Sequence, residues 1–140
     1  MHRYIGTKII HAEPAARDGQ PGYKVVYPDG YESWSPAAAF EAAYEPTDAM
    51  NFGLAIEALL AGHKVARAGW NGEGMYLYFV AGSEFTVSRL PLNAMYPEGT
   101  QVSYRPHIDM RDAQGRLGVW TASQPDMLAR DWFIVEGAEA

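Results

Sequence analysis

The sequence predicts an α+β fold, in which one antiparallel sheet carries a packed helix and is preceded by a small β-hairpin–helix module. Short runs rich in β-branched and aromatic residues recur along the 140 residues and are separated by glycine- and proline-bearing turns. Two other segments, 37–44 and 52–61, follow helix start signals and space their apolar residues three or four apart. A hydrophobic content of 48% with 20% charged residues is typical of a globular chain, so these elements have enough apolar surface to pack together.

The N-terminal module is predicted to span residues 1–48. Tyr4–Ala12 is predicted as a strand because of its isoleucines, and Tyr23–Tyr27 as a second strand after a polar loop. Pro28-Asp29-Gly30 indicates a tight turn, after which Tyr31–Trp34 returns as a third strand. The turn therefore joins the second and third strands into a hairpin.

Two helix starts are indicated. Ser35 as the cap and Pro36 at the first helical position predict a short helix over Ala37–Tyr44. Asn51 is predicted to cap a second helix, Phe52–Ala61, whose apolar residues form a single stripe. A helix with one apolar stripe needs an apolar surface to cover it, so we expect this second helix to pack on the main sheet.

The second domain is predicted to span residues 50–136 and to supply the main sheet. Its segment 90–99 contains two prolines and is predicted as an ordered loop, whereas Gln124–Ala129 is predicted as a helical turn. Pro106 lies inside one predicted strand and indicates an edge position or a bulge there. The predicted strands are His63–Arg67, Met75–Val80, Phe85–Ser88, Thr100–Met110, Arg116–Thr121 and Trp132–Val135.

The composition excludes several classes of function. The chain has no cysteine, which excludes disulfides, thiolate metal sites and cysteine nucleophiles. A net charge of −6 disfavours a protein that coats a nucleic acid polymer, because such binding needs clustered lysine and arginine. No apolar run reaches the length of a membrane-spanning helix, and residues 1–10 lack the apolar core of a signal peptide. We therefore expect a soluble intracellular protein with no membrane partner.

The segment Ala66–Val80 combines glycines with a large aromatic residue and an amide. Trp70 offers a flat face for stacking, and Asn71 can both donate and accept hydrogen bonds. Gly72 lets the backbone approach a ligand closely, and the β-type run that begins at Met75 supplies a rigid support. This pattern is typical of a small-molecule pocket, but it fits a tight turn whose tryptophan caps the core equally well.

His107 and Asp109 lie two residues apart on a predicted strand and therefore share a face. They fit a general base with its orienting carboxylate, two metal ligands, or hydrogen-bonding groups at the rim of a pocket. The last interpretation is favoured, because the sequence contains no HExxH, GxSxG, Walker or GxGxxG pattern. No catalytic residue, metal site or cofactor is predicted.

A second polar group precedes the predicted helical turn. Trp120 is followed by Ser123, Gln124 and Asp126, and a helix start of this kind exposes backbone N–H groups that suit phosphate oxygens. Ser123 and Asp126 also fit an ordinary capping box, which leaves Gln124 without a role. The cationic residues nearest the candidate segments are Arg67, Arg89 and Arg105, which fit either a local anion site or a solvated surface.

The order of these motifs resembles one small phage family, the anti-Thoeris proteins of the second type. The resemblance covers Met50–Val135, whereas Met1–Asp48 looks like an extension found on some phage members, with Tyr27–Pro36 as its signature. The motifs that carry the resemblance are Met50-Asn51-Phe52-Gly53, Lys64-Val65-Ala66-Arg67, Gly69-Trp70-Asn71-Gly72, Gly74-Met75-Tyr76-Leu77, Tyr96-Pro97-Glu98-Gly99-Thr100, Pro106-His107-Ile108-Asp109-Met110, Trp120, Ser123-Gln124, Asp126-Met127-Leu128-Ala129 and Asp131-Trp132.

The resemblance implies a sponge and not an enzyme. Proteins of this family bind a cyclic ADP-ribose isomer, glycocyclic ADP-ribose, intact, and so keep it from the Thoeris effector in the host bacterial cytoplasm. They form homotetramers with pockets between subunits, and some also hold cyclic di- or trinucleotides. The ligand-binding residues that we expect from the motifs are Phe52, Trp70, Asn71, Gly72, Met75, Arg105, His107, Asp109, Trp120, Ser123, Gln124 and Asp126.

Three functions therefore stay open at the level of sequence. The first is sequestration of a cyclic ADP-ribose-type signal or, alternatively, of cyclic oligonucleotides. The second is cleavage of a nucleotide by His107 and Asp109. The third is a phage structural or assembly protein whose aromatic loops are subunit contacts.

Overall fold

The computed structural model describes residues 1–137, which divide into two compact units at Pro46 and Thr47. The N-terminal unit contains strands β1 (His11–Pro14), β2 (Gly22–Val26) and β3 (Glu32–Pro36) and helix α1 (Ala37–Ala43). The C-terminal unit contains helices α2 (Phe52–Leu60) and α3 (Gln124–Leu128) and strands β4 (Val65–Arg67), β5 (Tyr76–Val80), β6 (Ser83–Thr86), β7 (Gln101–Tyr104), β8 (His107–Arg111), β9 (Leu117–Val119) and β10 (Trp132–Ile134). The antiparallel sheets with few helices confirm the predicted α+β class.

The N-terminal unit is an antiparallel sheet of order β1-β2-β3 with a thin aromatic core. The ring of Tyr23 on β2 stacks on Phe40 of α1 at 4.2 Å, and Phe40 stacks in turn on Tyr44 at 5.0 Å. Trp34 anchors β3 to the loop between β1 and β2, because its Nε1 donates to the carbonyl oxygen of Ala15 at 2.7 Å. Ring stacking therefore joins the short helix to the sheet.

The predicted strand Tyr4–Ala12 is wrong. Residues 1–10 have no regular structure, and β1 begins only at His11. The register explains the difference, because His11 pairs with Val26, the last residue of β2, and the chain then turns at Pro28. A strand that continued before His11 would have no neighbour to hydrogen-bond. The predicted cap at Ser35 is also wrong, since Ser35 lies in β3 and Pro36 itself occupies the cap position of α1.

Gly22→Ala is expected to destabilise the N-terminal unit by about 1–3 kcal/mol, as overpacked sites generally do. A Cβ at this position would overlap the ring of Trp34 and lie 2.5 Å from the carbonyl oxygen of Ser35. Hydrogen exchange of peptides from β2 and β3 measures the loss. Gly6→Ala is the matched control, because a Cβ there has no atom within 4 Å. Equal exchange in the two variants would contradict the prediction.

The C-terminal unit is organised around a five-stranded antiparallel sheet of order β10-β4-β5-β8-β9. Helix α2 begins as predicted at Asn51, whose side-chain oxygen accepts from the backbone N–H of Leu54 at 2.9 Å. It packs on one face of the sheet, and the buried core includes Ala55, Ala58, Leu59, Val65, Leu77, Trp132 and Ile134. No helix within residues 1–137 is long and apolar enough to cross a membrane.

The predicted strand Thr100–Met110 is two strands that belong to different sheets. β7 pairs with β6 to form a separate two-stranded sheet, whereas β8 pairs with β5 in the main sheet. The chain changes sheets at Arg105 and Pro106, where proline lacks the N–H that a continuous ladder needs. The C-terminal unit therefore has two sheets and not the single sheet that the sequence predicted.

Candidate functional site

An apolar groove of about 490 Å³ opens between α2, the main sheet and the segment that leads into α3. We call it the aromatic groove; it is lined by Phe52, Ile56, Leu59, Leu60, Phe79, Pro106, His107, Ile108, Trp120, Thr121 and Ala122. Phe52 and Trp120 form one wall, with ring centroids 6.1 Å apart and planes tilted by 58°. The groove therefore offers aromatic surface at one side and a few polar groups at the rim, as small-molecule sites generally do.

Local periodicity explains why these side chains converge. Phe52 and Ile56 lie one helical turn apart on α2 and face the sheet together. Phe79 of β5 pairs with Ile108 of β8, which places both side chains on the face that α2 covers. The backbone N–H of Trp120 donates to the carbonyl oxygen of Ile108 at 3.0 Å and so fixes the indole at the edge of the groove.

His107 lies at the rim of the groove and has Asp109 beside it, as their spacing predicted. Its Nδ1 is 2.8 Å from the carbonyl oxygen of Arg105, which can only accept, so Nδ1 carries a proton. Its Nε2 is 3.4 Å from Oδ1 of Asp109, whose other oxygen accepts from the hydroxyl of Tyr78, also at 3.4 Å. Burial, and secondarily the charge of Asp109, raises the pKa of Tyr78. Asp109 itself does not line the groove.

A second group, which we call the polar cluster, consists of Arg67, Trp70, Ser123, Asp126 and Asp131. The guanidinium of Arg67 donates from Nη1 to Asp126 at 2.8 Å and from Nε to Asp131 at 2.9 Å. Trp70 donates from Nε1 to the same oxygen of Asp126 at 3.3 Å. Ser123 and Asp126 form the predicted capping box of α3. Two stretches that are distant in sequence, 67–70 and 123–131, therefore meet at one ion-pair network.

The network shifts the acidity of its members. Burial raises the pKa of Asp126, but hydrogen bonds from Arg67, Ser123 and Trp70 outweigh it and hold the pKa below the ordinary value. Hydrogen bonds from Arg67 chiefly lower the pKa of Asp131. Hydrogen bonds to Asp131 and Asp126 raise the pKa of Arg67. All three groups are therefore charged at neutral pH, and the three charges sum to −1.

Trp70 packs edge-on against the buried Trp132, with ring centroids 5.4 Å apart and an interplanar angle of 79°. It is half-buried, which fits the interpretation of a tight turn whose tryptophan caps the core. The rest of that turn packs elsewhere: a Cβ on Gly72 would meet the sulfur of Met75 at 2.5 Å and Cβ of Ala113 at 2.8 Å. Contact between ligand and this turn stays a prediction.

The structure thus separates the predicted ligand-binding residues into groups. Phe52, His107 and Trp120 line the aromatic groove, and Trp70, Ser123 and Asp126 belong to the polar cluster. Gly72 and Met75 pack against each other in the turn over residues 69–75, which we call the glycine–tryptophan turn. Asn71, Arg105 and Gln124 are exposed, and Asp109 lies beside His107. Sequence reasoning missed Asp131 and the apolar lining at Ile56, Phe79 and Ile108, although the alternation of β5 and β8 carried a signal for the last two.

Acid is expected to loosen the polar cluster. Because the pKa values of Asp126 and Asp131 are lower in the folded protein than in the unfolded chain, their stabilising effect is complete above the unfolded pKa, about 3.9, and is lost as the pH falls through the folded values. The thermal midpoint of the C-terminal unit should therefore be nearly constant between about pH 7 and pH 5 and should drop below about pH 4. Far-UV circular dichroism at each pH measures it.

The control for this acid transition is Asp126→Asn combined with Asp131→Asn, which should flatten the slope. A residual slope is expected from Asp112, whose pKa is lowered chiefly by a hydrogen bond from the backbone N–H of Arg116. An unchanged slope in the double variant would show that other carboxylates cause the loss.

Comparison with known proteins identifies the C-terminal unit. Residues 50–135 match the family model of the Thoeris anti-defense 2-like domain. The chain is also similar to the protein named Thoeris anti-defense 2 of Bacillus phage SP01, with 36% identity over 86 residues, which is 61% of this chain and 94% of that protein. The match contains the aromatic groove and the polar cluster and excludes the N-terminal unit. The chain therefore belongs to the Thoeris anti-defense 2-like family.

Proposed function

We propose that the protein counters Thoeris defence by binding a cyclic ADP-ribose-type signal, glycocyclic ADP-ribose, and holding it intact. The observation that carries the proposal is the aromatic groove inside the family domain. Its volume of about 490 Å³ lies in the range of sites that take molecules of drug or nucleotide size. Sequestration acts by stoichiometry, so tight binding is sufficient and turnover is not required.

The lining of the groove suits the parts of such a ligand. An adenine that stacks on Trp120 or Phe52 gains about 1–3 kcal/mol, as bases on aromatic side chains generally do. His107 and Thr121 at the rim offer hydrogen bonds to ribose hydroxyls. The exposed Arg105, two residues before His107, is the cation that we assign to the pyrophosphate.

We further propose that subunits associate and complete the site. Leu117 and Val119 lie on the edge strand β9, and their side chains are 65% and 76% exposed. An exposed apolar edge strand favours pairing with another chain. The resemblance implies a homotetramer in the host cytoplasm, and such an assembly would cover this edge. It would also bring the glycine–tryptophan turn or Gln124 of one subunit to the aromatic groove of another.

A retention assay tests the proposal. The protein is incubated with the cyclic ADP-ribose isomer and filtered, and the retained fraction is heated and its nucleotides are analysed. Release of intact ligand with depletion of the filtrate supports a sponge. Release of an altered nucleotide supports an enzyme and directs attention to His107 and Asp109. An unchanged, undepleted filtrate contradicts the proposal, and a cyclic dinucleotide panel then tests the alternative ligand class.

Trp120→Ala is expected to weaken retention about five- to 150-fold, because it removes a stacking surface worth about 1–3 kcal/mol. The dissociation constant from titration of the filtered fraction measures the change. The matched control is Tyr31→Ala, which removes a 65%-exposed aromatic ring from the N-terminal unit. Retention that is unaltered in Trp120→Ala would place the ligand outside the aromatic groove.

A further inference from the structure

Arg67 is the residue through which the polar cluster is connected. Its side chain is 19% exposed, and those of its partners Asp126 and Asp131 are 14% and 34% exposed. The partners lie 59 and 64 residues further along the chain, in α3 and immediately before β10. A single guanidinium therefore bonds to two carboxylates of a distant stretch and links both of them to its own strand, β4.

Each carboxylate also accepts a hydrogen bond from the glycine–tryptophan turn. Oδ2 of Asp131 accepts from the backbone N–H of Gly69 at 2.8 Å, and Oδ1 of Asp126 accepts from Nε1 of Trp70 at 3.3 Å. The other oxygen of Asp126 accepts from the hydroxyl of Ser123 at 2.8 Å. The turn and the start of α3 are therefore both oriented by groups that Arg67 holds.

The packing around Gly69 shows how tightly the turn fits this network. A Cβ on Gly69 would lie 2.9 Å from Oδ2 of Asp131 and 3.3 Å from Nη2 of Arg67. Only glycine lets the backbone come this close to both partners. The turn is thus seated directly on the ion pair, and a movement of the guanidinium must move it.

The charge of Arg67 is already compensated. It lies between two carboxylates, so the three groups together carry −1 and repel a pyrophosphate instead of attracting one. Two of its N–H groups are committed to these partners at 2.8 and 2.9 Å. An arginine that serves as the main phosphate contact would present its fork to the ligand.

We propose that Arg67 is a positioning residue for signal binding: it orients Trp70 and the Gly69 backbone through Asp126 and Asp131 and does not itself touch the signal. This inference rests on the proposed function together with the sequence-based prediction that Trp70 contacts the ligand. Lysine at this position keeps the charge but cannot form the two-directional fork, so Arg67→Lys separates geometry from charge.

The test uses the full chain labelled with 5-fluorotryptophan. The chain has four tryptophans and therefore gives four ¹⁹F resonances. Trp70→Phe assigns the Trp70 signal by its loss. In Arg67→Lys the Trp70 resonance should shift or broaden, while that of Trp34 in the N-terminal unit stays in place as an internal reference. An unchanged thermal midpoint of the C-terminal unit reports that this unit is still folded. Retention of the cyclic ADP-ribose isomer should weaken by as much as the stacking on Trp70 contributes, about five- to 150-fold for 1–3 kcal/mol. Arg116→Lys, at an exposed arginine paired with Asp112, is the matched control and should change neither readout.

The double variant that combines Arg67→Lys with Trp70→Phe decides how Arg67 acts. If Arg67 works through Trp70, Arg67→Lys should add little to the loss already caused by Trp70→Phe. Additive losses, or weaker retention with an unmoved Trp70 resonance, would show that Arg67 does not act by orienting Trp70 and would overturn the inference. If the unaltered protein retains no signal, the proposed function fails, and the ¹⁹F comparison alone decides: a shifted Trp70 resonance supports positioning by Arg67, and an unshifted one overturns it.

Discussion

Trp132→Ala is expected to destabilise the C-terminal unit by about 3–5 kcal/mol, a large part of the 5–15 kcal/mol that stabilises a typical domain. Its side chain is fully buried, and its ring contacts Phe52 and Trp70 at 5.4 Å and Trp120 at 6.0 Å. Its Nε1 also donates to the carbonyl oxygen of Asp126 at 2.9 Å. The substitution therefore leaves a cavity, removes three aromatic contacts and leaves the carbonyl oxygen of Asp126 with only the 3.4 Å hydrogen bond from Ala129. Urea unfolding followed by far-UV circular dichroism measures the loss.

Because the chain has two compact units, hydrogen exchange is needed to locate the effect. Peptides from α2 and β5 should lose protection in Trp132→Ala, whereas peptides from β2 should keep it. Glu98→Ala is the control within the same unit, since Glu98 is exposed and such sites change stability by only about 0.5 kcal/mol. Equal effects of the two substitutions would mean that Trp132 is not central to the core.

The elements that were predicted correctly are those with local signals. Helix α2 was placed to within one residue, because Asn51 caps it and its apolar stripe has helical spacing. The shared face of His107 and Asp109 follows from the two-residue repeat of a strand, and the capping box of Ser123 and Asp126 from their three-residue spacing. In each case the determining residues lie within about one turn or one strand of each other.

The features that were missed depend on distant partners. Residues 4–10 have the composition of a strand, but β2 ends before it could pair with them. The division of Thr100–Met110 depends on which strands β7 and β8 find as neighbours. The polar cluster joins Arg67 to residues 59 and 64 positions away, a relation that no periodicity reports. The aromatic groove likewise arises only where α2, β5, β8 and the segment before α3 meet.

In the family domain, the same aromatic side chains contribute to stability and to the proposed recognition of the ligand. Trp120 and Phe52 present aromatic surface to the groove and at the same time pack against the buried core that contains Trp132. A substitution that removes either ring therefore affects both ligand contact and packing. Binding losses at these positions need to be compared with the unfolding midpoint of the same variant before they are assigned to the ligand.

Asp126→Ala is expected to cost about 2–4 kcal/mol of stability and to abolish signal retention. Loss of the carboxylate removes the reciprocal half of the α3 capping box, in which it accepts from the backbone N–H of Ser123, and leaves the 19%-exposed guanidinium of Arg67 with one partner in place of two. It also removes the acceptor that orients the indole of Trp70 at 3.3 Å. Thermal unfolding and the retention assay measure the two consequences separately.

Asp126→Asn and Glu98→Ala are the matched variants for this experiment. Asparagine keeps the shape and an accepting oxygen, so the cap of α3 should survive while the ion pair with Arg67 is lost. Its cost should fall between those of the unaltered protein and Asp126→Ala. Glu98→Ala removes an exposed carboxylate of the same unit and should leave both measurements unchanged. If Asp126→Asn lowered the stability as much as Asp126→Ala, charge pairing with Arg67 and not capping would dominate the contribution of Asp126. If neither variant altered retention, the polar cluster would have a structural role alone, and the ligand would bind through the aromatic groove without Trp70.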